Sequence, residues 1–370
     1  MQHTKQILSK SVHKQSKVQA NGGLKSKAHI RAFQQACNIF MGFNGTARTS
    51  ATSIRASSSG AIPIAVHNLS PDHLDAFTQA ITRIIVMDLT THVFTQIVYG
   101  KPVSQHTYDY AKCCPILNPV PATALPEAVE IAKCYQSHFQ ADSLMVDSML
   151  AQSYQNTTIG SKEFKLRLLE ITATTFHGMA VSIFNQVHDK GSDSCNPSSS
   201  TSNKDQLARP SSELPTRLLH ADYMDYDWYP SGLADGVGYW AELCLFGGVV
   251  LFNRGDSECE ALDAYLHPKF PYKIFKLSDS QVDSFVDFAL SATDQAQNQP
   301  PSPLPIRTEK YAPRICPDES MALHIFRNKY ERKPRHLRGL RPSYHRPLRL
   351  EDDPQMMDFI ESYQKQRNSD

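Results

Sequence analysis

Aspartate and glutamate are missing from the first 71 residues. The same stretch holds Lys5, Lys10, Lys14, Lys17, Lys25, Lys27, Arg31, Arg48 and Arg55 among many Ser, Thr and Ala. A segment with charge of one sign and little to bury is expected as a disordered basic arm over residues 1–70. Acid-free, basic and Ser-rich is also the composition of an organelle transit peptide, and residues 28–43 could form a short amphipathic helix. A mitochondrial address therefore stands beside a cytoplasmic or nuclear one.

Other absences narrow the chemistry. None of the eight cysteines forms a CxxC pair, and no secretory signal precedes them. That argues against a zinc ribbon or a disulfide framework and for free thiols in an intracellular, reducing compartment. No apolar run approaches the ~20 residues that span a bilayer. There is no P-loop, GxGxxG, HExxH or nucleophile elbow. The helix histidines, His73, His92, His138, His177 and His188, form no inner-face His-x-x-x-His or Glu-x-x-His pair, so they read as surface or satisfied core residues. No metal and no cofactor is expected. A formal net charge of +1 provides no overall attraction to nucleic acid or acidic lipid, which leaves only local patches.

The rest of the chain reads as an α+β protein in two parts. Residues 71–190 carry helical spacing. Ser70-Pro71-Asp72 is a helix start, and Leu74, Phe77, Ile81, Ile84, Ile85, Leu89, Val93 and Ile97 continue one apolar stripe to Gly100. Further helices are expected over 126–139, from about Asp142, and over 161–188, with Phe164, Leu168, Ile171, Thr175, Met179 and Ile183 facing inward in the last. Four such helices make an antiparallel bundle. Residues 191–213, rich in Ser, Asn and Pro, read as a disordered linker. Residues 214–370 then form a smaller α+β domain with an antiparallel sheet. Its centre is expected as a β-hairpin, two apolar runs turning at Gly247-Gly248. Strands at 264–267 and 272–277 follow, then a helix opened by the capping box Ser278-Asp-Ser-Gln281. Helices over 319–332 and 354–365 complete it.

Both tryptophans and the densest acids lie in residues 219–253. The loop 220–235 places His220, Asp222, Asp225 and Asp227 among Tyr223, Tyr226, Trp228 and Tyr229. Aromatics beside charges are what interfaces are made of, so the leading expectation is a non-catalytic binding or accessory protein with an unknown protein partner. The rival is a metal-dependent or acid-base hydrolase using His220, Asp222, Asp225 and Asp227, which requires them to converge in a pocket. A second basic stretch, 327–349, reads RNKYERKPRHLRGLRPSYHRPLR. Arg332, Arg335 and Arg338 could grip nucleic acid or another polyanion if they share an exposed face. Pairing of this stretch with the acidic loop is favoured instead, which disfavours nucleic acid.

HADYMDYDWYPSGLADGVGYWAE, LFGGVVLFNRGD and YERKPRHLR resemble motifs of a family of hypothetical proteins of filamentous fungi. The resemblance covers roughly residues 214–365. It implies a fungal source, and it implies neither an activity nor a functional residue.

Overall fold

The computed structural model describes residues 62–103, 123–188, 216–269, 273–291, 301–332, 358 and 362. The expected arm over 1–70 lies outside these up to residue 61, as do the linker over 191–213 up to residue 215, Arg335, Arg338 and all but two positions of the expected tail helix. Among the described residues are seven α-helices and seven short strands. Strand β1, Pro63–Ala65, is the first described element, and with Val66 and Leu69 buried it corrects the expected disordered arm over 62–70, where apolar side chains find a core; α1, Pro71–Ile85, starts with proline in its first turn. Ser70 does not cap a backbone amide; its hydroxyl meets His73 Nδ1 at 2.8 Å. The stripe expected to run on unbroken is cut at Val86–Met87, and α2, Asp88–Tyr99, leaves α1 at 68°. Side chains take over the ladder there. Thr90 donates to the Ile84 carbonyl at 2.6 Å, and the Gln136 amide donates to those of Ile85 and Met87.

α3 spans Pro126–Ser137. The helix expected from Asp142 starts later. Residues Met145–Asp147 form β2, antiparallel to β1, and α4 covers Ser148–Gln155. Asp147 sets that boundary, its carboxylate accepting from the amides of Met149 and Leu150 at 2.7 and 3.0 Å. α5, Lys162–His188, matches its expected range, and every residue read as inward is buried.

The Gly247-Gly248 hairpin does not form. Residues Leu233–Phe246 are α6, and only Val249–Asn253 is a strand, β3. α6 is apolar nearly all round because it lies in the interior, packed on α5. In such a run the two-residue and 3.6-residue periods cannot be told apart. Gly247 ends it in the left-handed region, φ 87°, as a helix cap and not as a hairpin turn.

β3 pairs with β4, Ala264–His267, in the register Val249↔His267 and Leu251↔Tyr265. β4 pairs with β5, Ile274–Lys276. α7, Asp279–Ala289, follows, with its capping box formed as expected. Two short strands, β6 at Arg314–Ile315 and β7 at Ile325–Phe326, complete an antiparallel sheet of order β6-β5-β4-β3-β7. The helix expected over 319–332 is absent. His324 takes a left-handed turn, φ 56°, and the chain then joins the edge of β3.

The α+β class holds, but the two halves share one core. Phe94 and Phe176 of the helical half stack at 5.6 Å; Phe176 meets Phe246 of α6 at 6.1 Å, and Phe246 meets Phe285 of α7 at 6.3 Å. Val250 and Phe252 of β3 face this core, while Val249 and Leu251 face a second cluster with Tyr223, Tyr229, Tyr239 and Tyr265. The sheet is thus covered on both faces, by helices on one and largely by the 220–229 loop on the other.

Candidate functional site

The loop follows the buried residues Leu218 and Leu219, and its first aromatic is turned inward. His220 is buried, and its Nδ1 accepts from the Asp222 amide at 3.1 Å. That bond leaves the ring proton on Nε2. Tyr223, fully buried, accepts from the Arg332 guanidinium at 2.7 Å, and its hydroxyl lies 3.1 Å from His267 Nδ1. Arg332 stands 3.0 Å from the same nitrogen and can only donate. His267 Nδ1 is therefore the acceptor, and its Nε2–H faces the Asp222 carboxylate at 3.4 Å. The order is Asp222, His267, Tyr223, Arg332, with Arg332 further held by the Pro317 carbonyl and the Ser320 hydroxyl at 2.8 and 2.9 Å.

Burial governs the electrostatics here. It pushes His267 down to about 4, with Asp222 opposing and Arg332 reinforcing. It pushes His220 down to about 3, with His267 adding to the fall. Both rings are neutral at pH 7. Burial raises the Asp222 carboxyl, but the His267 ring 3.4 Å away, with His220 and Arg332, outweighs it and holds the carboxyl well below the carboxylate range.

A second buried cluster lies behind the first. His177 of α5 sits between Asp235, at 3.2 Å, and Glu242, at 2.7 Å, both on α6. Arg327 completes it with a 2.7 Å bond to Glu242. Burial opposes protonation of His177, but its two carboxylates win and its value is raised. Gly238 makes room for the ring, since a Cβ there would lie 2.6 Å from it. A third buried cluster joins Arg167, Glu170 and Arg254, at 2.8 and 2.6 Å.

The four residues expected to do chemistry do not converge. His220 is buried, the Asp222 side chain is 25% exposed, Asp225 is half-buried and Asp227 faces solvent. His220 and Asp222 instead meet His267 and Tyr223, and His220, Tyr223 and His267 are buried. A surface depression of about 390 Å³ lies elsewhere, lined by Asn253, Asp256, Glu260, Leu262, Leu323 and His324. Among the described residues no group of three or more His, Cys, Asp or Glu could hold a metal ion.

The binding candidates divide. Tyr223 and Tyr229 are buried, the latter donating to the Glu331 carbonyl at 3.1 Å, so they anchor the loop and cannot meet a partner. Tyr226 is half-buried, and Trp228 is 43% exposed at the end of the 3₁₀ turn Tyr226–Trp228. Arg332, expected on an exposed basic face, is 1% exposed. Its planar fork satisfies buried acceptors that a solvent-facing pose would abandon. Of the described part of the basic stretch, Arg327 goes to Glu242, while Arg332 reaches Asp222 through Tyr223 and His267. Sequence reasoning read His177 as a surface or satisfied core residue, and it is buried between two carboxylates; His267 and Glu242 were passed over as site residues. A lone acid inside the apolar run of α6 was the one available sign that a buried cation must lie opposite.

Comparison with protein-family models, with curated proteins and with solved structures finds no match.

Proposed function

We propose that this chain is a non-catalytic binding protein whose contact surface is the turn Tyr226–Trp228. The observation that carries the reading is an indole left 43% exposed on a turn whose flanking tyrosines are locked into the sheet. A large, rigid aromatic costs little entropy to order on binding, and such residues supply most of an interface's energy. An indole face attracts a cation, which favours a protein surface that presents Lys or Arg next to an apolar side chain. The action is intracellular, cytoplasmic or nuclear, in a filamentous fungus, as the motif resemblance and the free thiols imply.

A photo-crosslinking residue at position 228, compared with one at the exposed Val86, tests this in cells. The expected outcome is a discrete adduct from position 228 and none from position 86. Equal labelling from both positions would refute the reading. Hydrolysis of an ester, amide or phosphate substrate that is abolished by Asp222→Asn would replace it with the hydrolase.

A further inference from the structure

The fixed tautomers of His220 and His267 have a consequence for acid. Each ring carries its single proton on Nε2, and each Nδ1 is already an acceptor, from the Asp222 amide in one case and from Tyr223 and Arg332 in the other. A second proton can enter only at Nδ1. At His220 it would set one N–H against another and break the first turn of the loop. At His267 it would put an imidazolium 3.0 Å from the Arg332 guanidinium. The ring centroids are 5.0 Å apart, so either charge opposes the other.

We propose that His220 and His267 form an acid-released latch: protonating the pair detaches the 220–229 loop from the sheet and frees the Tyr226–Trp228 turn, while the helical core stays folded. The loop brings His220, Asp222 and Tyr223 to this cluster; β4 brings His267; the segment after β7 brings Glu331 and Arg332; α6 brings only the ring of Tyr239, 4.5 Å from Tyr223. With both rings charged, His220, His267 and Arg332 would face, among the described residues, only Asp222 and Glu331, and one oxygen of the Glu331 carboxylate already accepts from the amides of Arg327 and Asn328.

The sign follows from linkage. In the open loop both imidazoles take a proton near the ordinary value of about 6.5, whereas in the closed loop burial holds them at about 3 and about 4. The open state therefore binds more protons below about pH 6.5, and closure weakens as pH falls from there toward about 4. With two protons taken up, the opening constant rises up to about 100-fold per pH unit in that window. The latch concerns the unbound chain; only its effect on binding rests on the proposed contact surface. Its test uses no partner, so failure of one is distinguishable from failure of the other.

The two tryptophans make the test direct, since Trp228 is on the loop and Trp240 is 6% exposed within α6. In the full chain, Trp240→Phe leaves emission from Trp228 alone and Trp228→Phe leaves that of Trp240. On titration from about pH 7.5 to about pH 3.5, Trp228 emission should change before far-ultraviolet ellipticity and before Trp240. The double variant His220→Asn, His267→Asn keeps an acceptor oxygen near each Nδ1 position and does not titrate, so it should lose the early Trp228 step. Coincidence of all three signals, or survival of the early step in the double variant, would overturn the latch. Imidazole proton resonances of the unmodified chain provide a measurement independent of variants. Those of His220 and His267 should not move between about pH 8 and about pH 5, and ordinary titration near 6.5 would equally overturn it.

Discussion

At the scale of single residues, this molecule spends its charges inside. Glu242 is wholly buried and neutralised from two sides, by Arg327 and by His177. Breaking such a set leaves the remaining charges without solvent or partner, which costs about 3–5 kcal/mol. Glu242→Leu should lower the urea-unfolding free energy by that amount. The pair Glu242→Leu, Arg327→Met should recover part of the loss, because the stranded guanidinium is gone as well. Additive losses in a double-mutant cycle would show that the two do not interact. His177 responds to pH oppositely to the latch histidines. Its value is raised in the folded chain, so its contribution is complete below about 6.5 and disappears as pH rises through the folded value. His177→Gln should therefore remove a stability loss that the unmodified chain shows on the alkaline side of about 6.5, measured as midpoint denaturant concentration against pH. An unchanged slope would mean that His177 is neutral between its two carboxylates.

Among the elements, legibility follows locality. The capping box before α7, the reach of α5 and strand β4 are written in neighbouring residues, and all three stand where the sequence puts them. α6 is not legible in this way: Trp240, Glu242 and Cys244 alternate with Tyr239, Ala241 and Leu243 as well for a strand as for a buried helix. Only α5 and Arg327, distant in sequence, make it a helix. The break between α1 and α2 is equally remote in origin, since Gln136 supplies the donors that cover it. The candidate site fared as its loop did. Its aromatics were identified, but which of them turn inward depends on His267 and Arg332, 44 and 109 residues from Tyr223. Gly238 tests the helix assignment. On an open helix face alanine is better than glycine by about 1 kcal/mol. Here a Cβ would press on the His177 ring, so Gly238→Ala should instead destabilise by about 1–3 kcal/mol in thermal or urea unfolding. A stabilised variant would show that α5 and α6 do not pack this closely.

For the whole molecule, the shared core determines what a cut through the chain does. Two domains with separate cores would melt in two steps, and severing the stretch between them would let them diffuse apart. Here α5 packs on α1, α2 and α4 and also on α6 and α7. The aromatic series Phe94, Phe176, Phe246 and Phe285 crosses from one half to the other without a polar layer. The buried set His177, Asp235, Glu242 and Arg327 crosses with it, so separating the halves would expose apolar surface and also strand ionised groups in each piece. Neither half holds a complete core. A specific protease site placed between residues 195 and 210 provides the test. After complete cleavage the two pieces should elute together at the size of the intact chain. They should unfold in one transition, with Trp240 emission and far-ultraviolet ellipticity coincident. Expressed separately, residues 62–190 and 214–370 should each fail to give a cooperative transition, and mixing them should restore one. Independent folding of either piece, or separation of the cleaved chain under native conditions, would mean that the halves are docked domains and that the continuous core contributes little to holding them.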